Sequence, residues 1–239
     1  MAIKENVSED ETLVLPGKVF KLKDRLELAT LIGTLQEQEM VEKFSENQYE
    51  FNLVTEITNL VQRENSLSGV YSKDTITYVY HRGKAIPFPK TTEAFFHFIT
   101  RDEDVLLTIL QDKWTASRIA NEFSRFIFDR KGNIIETQIP AEALRSFHEL
   151  NPEGTKVAFF DRMGIPNLDK LSLYGPDLIE TDLFDDYAGR GDLWYIVITS
   201  KKHGHVVGIT RNAIIVIFNK VTHQEYLDYV TDEVFPLIT

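Results

Sequence analysis

His203 and His205 flank Gly204 in the stretch Lys201-Lys202-His203-Gly204-His205. Residues two apart in an extended chain point to one face, so this pair would present two imidazoles together, a start on a site for a borderline metal. Asp185, Asp186 or Asp192 would supply a carboxylate. No third ligand follows from spacing, and an exposed turn accounts for the same residues. The densest acid cluster, Glu180 with Asp182, Asp185 and Asp186, offers oxygens to a hard cation, or a pair for proton transfer if one carboxylate were desolvated. It lacks the ligand spacing of a calcium loop and reads equally as a solvated face. Arg190-Gly191-Asp192 matches an adhesion tripeptide but is accounted for as a turn. No glycine-rich phosphate loop, zinc-protease helix or nucleophile elbow occurs, and Ser and His are too dispersed for a triad. No catalytic residue and no cofactor is assigned.

A second constellation is basic. Asp102 to Ile139 reads as two helices joined near Trp114, followed by a hairpin carrying Arg125, Arg130 and Lys131, with Arg118 on the second helix. Such an order imitates a winged helix, although no third helix precedes the wing. The chain as a whole opposes it: 37 acids against 26 Lys and Arg give a formal charge of −11, which repels phosphate backbones while leaving room for a local basic patch.

Composition sets the remaining bounds. Hydrophobic content of 43% and charged content of 26% over 239 residues are globular values. Cysteine is absent, which removes disulfides, thiolate catalysis and Cys-ligated metals. No apolar run reaches the length of a membrane span and residues 1–12 are polar and acidic, so a cytoplasmic protein with a mobile acidic lead-in is expected. Asn6-Val7-Ser8 matches a glycosylation acceptor that a cytoplasmic chain would not use.

The elements that would position these residues follow from periodicity. Leu28, Leu31, Ile32, Leu35, Met40, Val41 and Phe44, then Phe51, Val54, Ile57, Leu60 and Val61, repeat at helical spacing and predict an αα-hairpin. Thr75 to Tyr80 alternates β-branched with aromatic residues, Arg82-Gly83-Lys84 turns, and Pro87 and Pro89 demand an edge or an extended loop, giving a hairpin over 70–88. Thr91 or Thr92 would cap a helix over 93–99, Asp102 would open another with Val105, Leu106, Ile109 and Leu110 inward, and Thr115 would cap a third. The pentapeptides Phe128-Asp129-Arg130-Lys131-Gly132 and Phe160-Asp161-Arg162-Met163-Gly164 read as hairpin tips. Pro140 starts a helix with Ala143, Leu144, Phe147 and Leu150 buried. Leu193 to Ser200, His205 to Thr210 and Ala213 to Phe218 form a three-stranded meander, and Thr222-His223-Gln224-Glu225 has the capping-box spacing of a terminal helix.

The expected fold is therefore α+β: a mostly helical domain over 13–124 with one β-hairpin, then an antiparallel sheet flanked by helices over 125–239. From Phe126 onward the element order resembles the profilin-like regulatory domains, including the longin and roadblock groups, and this resemblance implies a five-stranded antiparallel sheet carrying helices. The two strand-turn-strand-helix stretches, around 70–99 and 208–235, raise an internal duplication. Tyr71, Tyr78, Tyr80, Phe88 and Phe95 to Phe98 crowd the first hairpin, and an exposed share of them would make a partner-binding or dimerising face. The expected function is a non-catalytic regulatory or protein-interaction protein, with self-association or a protein partner; a DNA-binding regulator and a metal-dependent enzyme are the alternatives.

Overall fold

The computed structural model describes residues 13–36, 38–151, 154–176, 178 and 182–238. Its dominant element is antiparallel β-sheet, with twelve strands among the described residues, and the chain divides into two compact units, Lys18–Ile135 and Glu136–Thr239 with the residues up to Gly17. Glu180 and residues 1–12 lie outside the described residues.

In the Lys18–Ile135 unit, β1 (Leu13–Leu22, entering this unit at Lys18) leads to α1 (Leu28–Gln36), then β2 (Glu39–Glu46), β3 (Tyr49–Gln62), β4 (Ser66–His81), β5 (Lys84–Arg101), β6 (Asp104–Leu110) and α2 (Lys113–Phe128). The strands run in the order β2-β3-β4-β5-β6-β1, and a short strand β7 (Ile134–Glu136) pairs with β1. This corrects the helical N-terminal domain. The pattern Phe51 to Val61 is strand β3, in which Asn59 adopts φ 53° and the register with β4 shifts between Thr58 and Val61. That irregularity brings Leu60 into the core cluster with Ile57, a three-residue step that breaks period 2, while Val54 lies on the opposite face from Phe51 and Ile57. Val105, Leu106, Ile109 and Leu110 are strand β6, central between β5 and β1 and buried along nearly its whole length; a strand covered on both faces loses its alternation. Thr91 and Thr92 cap nothing, since they lie inside β5. The likeness that raised a duplication fails with them.

α2 is the helix that seals this sheet. Asp112, rather than Thr115, caps it, accepting from the Trp114 and Thr115 amides at 2.9 and 3.2 Å. Its inner residues Ala116, Ile119, Ala120 and Phe123 are buried against Phe96, Phe98 and Tyr71. The Phe123 ring centroid lies 4.9 Å from that of Phe96, 5.7 Å from that of Tyr71 and 5.9 Å from that of Phe98. Gly69 makes room for this packing: a Cβ there would meet Phe96 Cζ at 2.7 Å.

The other unit continues with α3 (Ala141–Leu150), β8 (Thr155–Ile165), β9 (Leu168–Tyr174), α4 (Leu183–Ala188), β10 (Asp192–Thr199), β11 (Val206–Thr210), β12 (Ile214–Val221) and α5 (His223–Tyr229). The meander β10-β11-β12 and the Thr222–Glu225 capping box both form as expected. After α5 the chain goes on as a π-helical stretch, Val230–Val234, and a 3₁₀ turn, Phe235–Leu237, burying Tyr226, Tyr229, Val230, Val234 and Phe235. The strand order β9-β8-β10-β11-β12 follows the chain apart from the first hairpin's reversal. With the strand-dominated N-terminal unit, it replaces the profilin-like arrangement. The first pentapeptide is a helix end rather than a hairpin tip, and the second lies within β8, just ahead of the Pro166-Asn167 turn that joins it to β9. Asp129 ends α2 in the left-handed region, and Arg162, with φ 52°, sits inside β8 where its register with β9 shifts.

Two measurements test this architecture. Phe123→Ala removes the ring on which three aromatic neighbours converge, and urea unfolding should show a loss of about 3–5 kcal/mol. His97, on β5, has its imidazole pKa pushed down to about 4 by burial and, secondarily, by Arg63. The unfolded chain then takes up a proton near pH 6.5 that the folded one refuses, so this group's contribution is full above pH 6.5 and is lost as pH falls toward 4. Between pH 7.5 and pH 5 the wild type should lose on the order of 1–2 kcal/mol more than His97→Phe; identical losses would show that His97 titrates normally in the folded protein.

Candidate protein-binding arm

β4 and β5 pair without interruption from Ser66↔Ile99 to His81↔Lys84. Only the proximal part of this ribbon is shared with the neighbouring strands: β3 meets β4 up to Lys73, and β6 meets β5 only from Phe95. Beyond these limits the hairpin is a two-stranded arm about 25 Å long. Pro87 and Pro89 fall in this part, where one edge of β5 has no strand beside it, as the missing amide requires.

The root of the arm is fastened by polar contacts. Tyr71 donates its hydroxyl proton to Glu122 of α2, and Lys73 Nζ lies 2.7 Å from Glu122 Oε1. Burial is the main cause that drives the Tyr71 pKa upward, and the adjacent carboxylate adds to it, so the phenol remains a donor. Asp74 accepts from Thr91 Oγ1 at 2.7 Å and from the Val54 amide at 3.0 Å, bonds that hold its carboxyl below the ordinary range. Tyr78 Oη donates to Glu46 Oε2 at 2.7 Å. At the tip, Arg82 and Gly83 have φ 47° and 77°, the two positive values of a two-residue turn whose twist suits a hairpin.

Directly paired residues share a face. Thr77↔Phe88 and Val79↔Ile86 therefore form one surface, with His81↔Lys84 and Thr75↔Lys90 at its two ends, while Tyr78↔Pro87 and Tyr80↔Ala85 form the other. Val79, Tyr80 and Phe88 are 53%, 80% and 58% exposed. Residues 75–92 contain Arg82, Lys84 and Lys90 and no acid, within a chain of charge −11. Pro87 between the tyrosines is buried and Ile86 half-buried; the exposed Val79, Tyr80 and Phe88 between cations have the chemistry of a docking surface for an acidic partner.

The other residues singled out from the sequence are dispersed. His203 and His205 lie side by side, ring centroids 6.1 Å apart, and both pack on Tyr229. They line an open recess of about 550 Å³ with Lys202, Glu225, Asp228 and Asp232. His203 Nε2 is 3.4 Å from Asp232 Oδ2 without hydrogen-bond geometry, and among the described residues neither it nor Tyr229 Oη has a hydrogen-bond partner. Asp185 instead faces Arg145 at 3.9 Å, Asp186 is exposed on α4, and Asp192 pairs with Arg162 at 2.5 Å. Among the described residues no group of three or more His, Asp or Glu side chains is arranged to hold a metal ion. Arg118 and Arg125 are exposed on α2, Arg130 is 3.6 Å from Asp24, and Lys131 is exposed. The segment 102–139 contains strand β6, helix α2 and the short β7 rather than two helices and a wing. No described helix is long and apolar enough to cross a membrane.

The sequence signal that pointed toward the arm was its aromatic crowding. It did not separate the buried Phe96 and Phe98 from the exposed Tyr80 and Phe88, because all lie on one continuous strand pair. Neither a scan against protein-family models nor a search of curated proteins finds a match to the chain.

The root can be tested apart from the tip. Asp74→Ala should lower global stability by less than about 1.5 kcal/mol, the net worth of a typical hydrogen bond. Amide exchange should accelerate severalfold over 75–90 and stay unchanged over 95–110. Uniform protection along the ribbon would mean that Asp74 does not hold the arm.

Proposed function

We propose that this chain is a non-catalytic binding protein that engages an acidic protein partner through the β4–β5 arm, and so acts in regulation or assembly. The observation that carries this reading is the exposure of Val79, Tyr80 and Phe88, with half-buried Ile86 beside them, on a ribbon that no third strand accompanies past Lys73 and Phe95 among the described residues. An isolated two-stranded hairpin is at best marginally stable in water, and exposed aromatics flanked by cations match the composition of interface cores more closely than that of ordinary surface. The fastened root supports the same reading, since a rigid element loses less entropy on docking.

A photoreactive phenylalanine analogue at position 80 of the full chain, expressed in the source cells, supplies the test. Crosslinking to one discrete protein band is expected, with loss of that band when Phe88→Ser is added and no change in thermal unfolding midpoint. A probe that crosslinks nothing above an unirradiated control, or that labels many bands indifferent to Phe88→Ser, would refute a specific docking role for the arm.

A further inference from the structure

We infer that the arm's occupant is a second copy of this chain, the arm of each protomer lying on strand β2 of the other; the inference rests on the arm being the binding element. β2 is the outermost strand of its sheet, and its row of backbone groups facing away from β3 has no strand beside it among the described residues. All but Phe44 and Glu46 are exposed along it, with Met40 and Val41 at 42% and 53%. Its charge is opposite to that of the arm: Glu39, Glu42 and Glu46 against the single base Lys43, where the arm has Arg82, Lys84 and Lys90 and no acid. Pairing β2 with β2 of another copy would set acids against acids, which is unfavourable. Arm against β2 sets cation against carboxylate and puts Met40, on the same face of β2 as Glu42, beside the Val79–Ile86–Phe88 strip.

The two surfaces also lie beside one another within a protomer, joined by the Tyr78–Glu46 hydrogen bond. Adjacent complementary patches are what a two-fold interface needs, because each contact of i with j is repeated as j with i. Together, the arm and the eight residues of β2 give each protomer a patch of about 20–30 residues, the size used per side in a standard interface. Charge pairs at the edges of such a patch make association dependent on salt.

Charge exchange between variants of the full chain tests the arrangement. By sedimentation velocity from 1 to 100 µM, the wild type should be dimeric in 50 mM NaCl, with at least a tenfold weaker dissociation constant in 500 mM. Lys84→Glu with Lys90→Glu places acids on both surfaces, and Glu39→Lys with Glu42→Lys places bases on both, so each double variant alone should sediment as a monomer. Mixed in equal amounts they should form a one-to-one heterodimer by native mass spectrometry, which also shows that both are folded. A wild type that stays monomeric at 100 µM, double variants that still dimerise, or a mixture that fails to pair would each overturn the second copy as occupant. A monomeric chain whose probe at position 80 crosslinks a protein of different mass overturns this inference while sustaining the arm as a protein-binding element. Monomers that cosediment with phosphatidylserine vesicles through Lys84 and Lys90, and crosslink no protein, overturn both.

Discussion

The Lys18–Ile135 unit is governed by a mismatch of lengths. β4 and β5 have 16 and 18 residues, which in extended geometry is roughly 50–60 Å, whereas the 16-residue helix α2 spans about 24 Å. One helix cannot cover such a ribbon. Where α2 lies, Phe123 meets Phe96, Phe98 and Tyr71 and the strands are sealed. Midway along α2, Glu122 receives Tyr71 and Lys73, and past that point on β4 the same strands run on to the exposed Val79, Tyr80 and Phe88. Burial of the proximal half and exposure of the distal half are consequences of one packing arrangement.

An exposed ribbon and a bare edge strand are hazards that proteins manage with charge, proline and short strands. Proline and charge both occur here. Pro87 and Pro89 remove donors from the free edge of β5, and glutamates at 39, 42 and 46 discourage indiscriminate pairing along β2. The cations of the arm do the same for its own surface, but their sign differs from that of β2. A chain protected against like surfaces in this way is left complementary to opposite ones.

The other unit handles its hydrophobic surface differently. Its meander is closed by the C-terminal helix, where the buried Tyr226 hydroxyl bonds to the Ile215 carbonyl at 3.0 Å and the π-helical turn carries Val230 and Val234 inward. His203 and His205 pack on this helix through Tyr229. Their nearness in sequence thus reflects how a turn docks on a helix, and the carboxylates at 185, 186 and 192 are each placed elsewhere.

Local chemistry determined those elements that need no distant partner: the meander strands, the Thr222–Glu225 capping box, the helix after Pro140, the turn at Arg82-Gly83 and the edge status of Pro87 and Pro89. Each depends on residues a few positions apart, so a single stretch of chain contains the whole cause. Long strands are different. Phe51 to Val61 and Val105 to Leu110 have apolar spacings that fit a helix as well as a strand, and what selected the strand was cross-strand pairing with residues far along the chain, with the bulge at Asn59 and burial of both faces of β6 erasing the alternation. Likewise the aromatic crowding near residue 80 was written in the sequence, but only tertiary packing, through the limited reach of α2, decided which rings became core and which remained in water.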